Sequence, residues 1–319
     1  MNRTIAKFRL VVIFGVFAVL FGTACDPASH SQGGRLTTNA ERSAEYGPPI
    51  VVGTIGSSDI KESSGLAASQ CQADVFWTHN DSGGGPFIYA LNATGNRVGT
   101  WKMAETNGGD WEGAAVYKSR TGECFVYIGS IGNNELKRSE HTIYRFKEPA
   151  VPESTVGSDK ESVADTGQVE KLQYSYPDGR HNAETLMVHP ETEDIYVLSK
   201  NLDSPSRVYK IKPRFETGST LEAEMIAEIT VPSVPNGFLT GGDISPDGTR
   251  VVVCDYLAAY EFKLPTGARS FDDVWKSKPA VIQLGEREQG EAIGFSADGR
   301  SIIATSEKKN SPMIVVKRL

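Results

Sequence analysis

Five short phrases in this chain open with a carboxylate and pass into small and apolar residues. They are Glu62-Ser63-Ser64-Gly65-Leu66, Glu112-Gly113-Ala114-Ala115-Val116, Glu184-Thr185-Leu186-Met187-Val188, Asp243-Ile244-Ser245-Pro246-Asp247 and Glu291-Ala292-Ile293-Gly294-Phe295. If the fold gathers these acids at one place, they repel unless they are protonated or share a cation. Oxygen donors without paired cysteine or histidine suit calcium better than zinc. A central calcium is therefore the expectation. Two other states are open to the same residues. Each carboxylate can accept backbone N–H bonds from its neighbour and lock the assembly, or the acids can line a water-filled channel with raised pKa values.

A second group of polar residues follows the next apolar run of each repeat: His79-Asn80-Asp81-Ser82, Gly129-Ser130-Ile131-Gly132-Asn133-Asn134, Lys200-Asn201, Asp255-Tyr256 and Glu307-Lys308-Lys309. Small residues there permit close approach, and amides, carboxylates and cations offer specific contacts. Candidate ligand contacts are His79, Asn80, Asp81, Trp111, Asn133, Lys200, Tyr256 and Glu307, with Trp77 as a further wall. A polar loop rim of no special purpose accounts for any one of them equally well.

The elements that would position these groups are read from the repeat itself. The opening carboxylates lie 50, 72, 59 and 48 residues apart, close to the length of a propeller blade. Each phrase leads through a turn, such as Pro246-Asp247-Gly248 or Ala297-Asp298-Gly299, to a β-branched and aromatic strand: Val75–Trp77, Phe125–Ile128, Ile195–Leu198, Val251–Val253 and Ile302–Ala304. A third strand follows in each repeat, and a fourth in the first four (Arg97–Met103, Val169–Tyr174, Met225–Val231, Pro279–Leu284). The fifth lacks one. Pro49–Ile55 resembles these fourth strands and is expected to complete the last blade, closing the ring and removing an open seam. The fold class is all-β: a five-bladed β-propeller of four-stranded blades whose first strands line the channel. The stretch 150–168 reads as a surface insertion.

The beginning of the chain reads as an address. Arg3, Lys7 and Arg9 precede an apolar run, Leu10–Phe21, too short for a comfortable membrane span, and Gly22-Thr23-Ala24-Cys25 follows. Small residues before a cysteine resemble the lipobox of bacterial lipoprotein signals, in which cleavage precedes a cysteine that is then diacylated. The expectation is a signal peptide over 1–24, a lipid on Cys25 as the membrane partner, a flexible tether over 25–46, and the propeller over 47–319. An ordinary secretory signal is the alternative. The formal charge is −7. Loss of the leader, with three basic and no acidic residues, takes it to −10. An acidic surface argues against nucleic acid as a partner and suits cations. Export permits disulfides, and Cys71 and Cys124 occupy equivalent positions in consecutive repeats, so they are possible neighbours. Cys254 lies within an apolar strand and reads as a core residue.

The phrases Glu62-Ser63-Ser64, Asp110-Trp111-Glu112, Ala183-Glu184, Gly241-Gly242-Asp243 and Gly290-Glu291-Ala292-Ile293, with Asn80-Asp81-Ser82-Gly83 and Tyr127-Ile128-Gly129, resemble those of the calcium-activated nucleotidase (apyrase) family. That family is a five-bladed propeller with calcium in its channel. The resemblance implies calcium contacts at Ser64, Glu112, Glu184, the position near Asp243, and Glu291. At the fourth the family carries serine, where this chain offers Asp243 or Ser245, and the family's basic nucleotide contacts have no clear match. Exported bacterial propellers, often lipoproteins, are similar too, and some phytase-like propellers share glutamate-led first strands.

Two functions are carried forward. One is a calcium-stabilised propeller, anchored outside the cytoplasm, that binds a small ligand or a protein on its upper face. The other is a calcium-dependent phosphohydrolase, with Asp81 or Glu307 as base and Lys200, Arg138 or Lys308 stabilising charge. No Gly-x-Ser-x-Gly motif supports serine hydrolase chemistry, and no single pair of acids stands out for glycoside hydrolysis.

Overall fold

The computed structural model describes residues 34–37, 42–104, 106, 108–152, 163–215 and 218–319. They build five antiparallel blades of four strands each. Blade one is Ser63–Ala68, Phe76–Asn80, Phe87–Leu91 and Arg97–Lys102. Blade two is Ala114–Lys118, Cys124–Ser130, His141–Lys147 and Val169–Ser175. Blade three is Ala183–Val188, Ile195–Ser199, Ser206–Ile211 and Glu224–Ile229. Blade four is Gly241–Ile244, Arg250–Cys254, Ala258–Lys263 and Ala280–Gln283. Blade five is Ile293–Phe295, Ser301–Ala304, Pro312–Lys317 and, outermost, Ile50–Thr54. That last strand pairs antiparallel with Pro312–Lys317, so the chain's own front closes its last blade. The innermost strands pack on one another in sequence, one to two to three to four to five and back to one.

Second strands are almost wholly buried because each blade is covered on both faces by its neighbours. Ile195–Ser199 and Arg250–Cys254 are buried at every position, the pattern of a doubly covered strand rather than an alternating one. The seams between blades are filled by large side chains. Trp77, Trp101, Val126 and Ile128 pack between blades one and two, and Tyr127, Tyr174, Leu186 and Tyr209 between two and three. Each fully buried large side chain contributes about 1.5–3 kcal/mol over its exposed state, so the ring rests on its seams.

Additional pieces cover outer edges. Ala164–Asp165, from within the long insertion, lies parallel to the outer strand of blade one, and Thr220–Glu222 does the same for blade two. A disulfide joins Cys71 to Cys124, tying the first hairpin of blade one to the second strand of blade two. Cys254 is buried and free.

The expected leader and Cys25 lie outside the described residues. The described part of the stretch read as tether is bound to the propeller, and the compact unit begins at Gly34 rather than at residue 47. Arg35–Leu36 pairs with Ser233–Val234, and the Ser43 amide donates to the Val281 carbonyl. The Tyr46 hydroxyl donates to buried Glu261 at 2.6 Å, beside Arg250. Composition alone hid this. The segment is polar, but its backbone finds edges to pair with, and Tyr46 supplies one buried anchor.

Candidate functional site

Backbone bonds fix which loops share a face. The ends of the second strands bond to the starts of the inner strands: the Asp81 amide to the Glu62 carbonyl, Gly132 to Asp110, Lys200 to Asn182 and Glu307 to Gln289. The loops between second and third strands therefore surround the mouth at which the inner strands begin. We call this the upper mouth.

Three acids from three blades meet there. Carboxylate oxygens of Glu112, Glu184 and Glu291 lie within 4.8 Å of one another, and all three residues are buried. Asp81, Asp110 and Glu112 form a second such group, so Glu112 belongs to both. Ser64 Oγ donates to Glu112 Oε2 at 2.5 Å. Tyr256 and Gln289 each donate to Glu291 Oε1, at 3.3 and 3.2 Å. Glu307 stands against Glu291, held by its own amide's bond to Gln289.

One cation enters this group. Lys200 Nζ donates to both oxygens of Glu184 at 2.6 Å and rests 4.5 Å from the centre of the Phe238 ring. Its pKa is raised because Glu184 and its neighbouring acids outweigh the cost of burial.

The electrostatics are those of crowded anions. Burial, then Asp110 and Glu291, push Asp81 up to about 7. Burial pushes Glu184 up to about 8 against the pull of Lys200, with Glu291 adding to the rise. Burial and Glu291 push Glu307 up to about 9. Burial and Glu184 hold Glu112 well above the ordinary range. Asp81 Oδ1 is buried without a hydrogen-bond partner. An oxygen-only donor set fits a hard divalent cation, and ligands at 2.3–2.6 Å on opposite sides of calcium stand up to about 5 Å apart. Oxygens that lie within 4.8 Å of one another are close enough to share one such ion.

Asp243 lies elsewhere. A Cβ on Gly65 would come 2.5 Å from the Ala114 amide, one on Gly113 would come 2.7 Å from the Leu186 amide, and one on Gly241 would collide with the Glu291 carbonyl. Gly65 and Gly113 hold equivalent places against the next blade, preceded by Ser64 and Glu112, and Gly241 abuts the opening of blade five's inner strand, preceded by Thr240, whose hydroxyl donates to the Gly290 carbonyl. Asp243 is three positions further down the strand. There Oδ1 accepts the Ile244 amide and Oδ2 the Phe295 amide of blade five, each at 2.8 Å. It bridges two blades, the locking role open to any of the acids. Ser245 sits in the following turn, donating to Asp247 at 2.5 Å.

Of the ligand candidates, Asp81, Lys200, Tyr256 and Glu307 converge on the acids. The others serve the scaffold. His79 is buried, its ring nitrogens on the carbonyls of Asn80 and Gly113, and burial lowers its pKa. Asn80 caps the loop before Ser63 by accepting the amides of Lys61 and Glu62. Asn133 organises its own loop through the Arg138 amide and carbonyl. Trp111 is buried edge-on to His79. Arg138 is spent on Ser130 and the Gly132 carbonyl.

Four contributors were not singled out from sequence: Asp110, Gln289, Thr240 and Phe238. Asp110 and Gln289 each precede a mouth glutamate by two residues, a recurring offset that marks them in retrospect. Gly132 marks Asp110 as well, since a Cβ there would come 2.5 Å from its carboxylate. Thr240 had a quieter signal, a hydroxyl immediately before glycine, as in Ser64-Gly65.

No protein-family model and no curated protein matches this chain. Among solved structures, a gluconolactonase from Xanthomonas campestris aligns over 93% of this chain and 96% of its own, at 13% identity and a TM-score of 0.44. A chain of the nidogen/laminin complex aligns over 77% of this chain and 72% of its own, at 14% identity and a TM-score of 0.44. At such identities these likenesses concern the fold.

Proposed function

We propose that this protein is an extracytoplasmic, lipid-anchored propeller that holds calcium in its upper mouth and binds a small ligand on that face. The observation that carries the metal is the convergence of Glu112, Glu184 and Glu291 from three blades, joined through Glu112 to Asp81 and Asp110. Calcium would draw on these carboxylates and relieve their repulsion. Ser64 orients Glu112, and Tyr256 and Gln289 orient Glu291. Lys200 competes for Glu184, so the ion takes a Glu184 oxygen only as the ammonium yields one. The ligand wall is Asp81, Lys200, Tyr256, Phe238 and Glu307. Support for the anchor is the basic start, the apolar run and the small residues before Cys25.

Asp81 favours a second reading, calcium-dependent phosphohydrolysis. Its carboxyl, pushed up to about 7 with one unpartnered oxygen, is suited to take a proton near neutral pH. A phosphate would meet crowded acids at this mouth, with the one ammonium there tied to Glu184, and would bind through the cation.

Calorimetric titration of metal-free protein tests the metal on which both readings rest. Calcium uptake that is saturable, and lost in the Glu112→Gln/Glu291→Gln double variant, is the expected result. No uptake at millimolar calcium overturns the metal site and the hydrolytic reading with it. Phosphate release from a panel of phosphorylated compounds, present with calcium and absent without it, decides for the enzyme.

A further inference from the structure

At the opposite end of the channel lies a cavity of about 260 Å³. The far ends of all five inner strands line it: Ala67 and Ala68, Val116, Val188, Ile244, and Phe295. Asp243 lines it as well. The residue is half-buried, more accessible than its strand neighbours Gly242 and Ile244. The two amides described above hold the carboxylate in one orientation. Each occupies one acceptor position per oxygen, and a carboxylate offers about four.

The chemistry of such a place is narrow. A neutral apolar molecule seated here would cover the carboxylate without a counter-charge, which is costly. An anion is repelled by it. A divalent metal ion wants six or more oxygen ligands and finds here one carboxylate, with the Lys118 ammonium lining the same mouth. A monovalent organic cation meets both demands, with its charge on Asp243 and its hydrocarbon on Val116, Val188 and Phe295. The space equals about nine waters at ~30 Å³ each, which sets the size. We infer that the far mouth is a second binding site, for a small ammonium compound with an apolar body, seated on Asp243. Lys118 lines the same mouth at its exposed rim, so a ligand whose other end is anionic can reach a partner there.

The test uses n-butylammonium as probe and 1-butanol as its uncharged counterpart, each titrated by NMR into the calcium-loaded protein. Saturable binding of butylammonium, at least tenfold tighter than butanol, is the expected result. Asp243→Asn should weaken butylammonium tenfold or more and leave butanol unchanged. Ala68→Leu keeps the carboxylate and fills the cavity, so it should remove both, and it carries the test if Asp243→Asn fails to fold. Equal affinity for the two probes overturns the inference, as does no saturable binding, or butylammonium binding that survives Ala68→Leu. Calcium uptake at the upper mouth, measured on the same samples, makes failure here distinguishable from failure there.

Discussion

The two mouths of the channel are built from the same five strands and treat carboxylates in opposite ways. At the upper mouth Glu112, Glu184 and Glu291 crowd together, with Asp81 and Glu307 beside them, and one oxygen of Asp81 has no partner. At the far mouth Asp243 stands alone, and backbone amides satisfy each of its oxygens. Both situations raise a pKa, Glu307 to about 9 and Asp243 to about 7. The causes differ. Mutual repulsion adds to burial at the upper mouth, whereas at the far mouth burial acts alone and two amides oppose it. A raised acid pKa is therefore no sign of a metal site by itself. The sign is that neighbouring acids raise one another.

The largest effect that sharpens this contrast is expected from Lys200→Met. It removes the buried partner of Glu184, and breaking such a pair costs about 3–5 kcal/mol. In chelator the variant should be destabilised by that order. Calcium should restore most of the loss, because the ion takes the place the ammonium left. Denaturant midpoints with and without calcium measure both. A loss that calcium does not restore would put the ion elsewhere.

Chelation of the parent protein comes next. At 100-fold excess over Kd a ligand stabilises the folded state by about 2.7 kcal/mol. For a unit of this size that corresponds to a shift of roughly 4–5 °C in Tm. A melting temperature indifferent to calcium would place the upper acids with Asp243, as locks.

pH offers a further separation. Asp81, Glu184 and Glu307 have folded pKa values of about 7, 8 and 9, above their unfolded values near 4. Between those limits the folded state binds more protons than the unfolded one, so stability falls as pH rises. In chelator it should decline from about pH 4.5 to 9, and calcium should flatten or reverse the decline. Urea midpoints at pH 5 and pH 9 measure the slope, and a chelated protein more stable at pH 9 would contradict it.

Asp243→Asn should cost about 1–3 kcal/mol, since one amide loses its acceptor, and should leave the response to calcium intact. A weakened calcium response would unite the two mouths. The smallest effect is expected from Thr240→Val. It loses the bond of the hydroxyl to the Gly290 carbonyl, seen at 2.8 Å, at about 1 kcal/mol. An accompanying tenfold loss of calcium affinity would show that blade four contributes an oxygen to the ion.

Much of this was legible in the residues. The fivefold phrase, the apolar second strands and the spare strand at Ile50–Thr54 determined a ring of five blades closed by its own front. Burial on both faces of a second strand leaves little room for polar alternation, so blades three to five wrote theirs around runs such as Ile195–Leu198, Val251–Val253 and Ile302–Ala304. The carboxylates before Gly113, Thr185 and Ala292 pointed to the mouth because each stands where an inner strand begins.

The rest belongs to the tertiary structure. Asp243 follows two glycines as if it opened a strand, yet register is decided across strands. Gly241 pairs with Cys254 and abuts the Glu291 carbonyl, which carries Asp243 three residues down the channel and leaves Thr240 at the mouth. Asp81 and Asp110 come from different blades, and only closure of the ring puts them together. Lys200 and Glu184 lie 16 residues apart on adjacent strands, and no sequence period announces that the ammonium turns inward to the acids. A chain carries the period of its elements in its order. Which ends of those elements meet is decided when the blades pack, because distances between blades are set by side chains far apart in sequence.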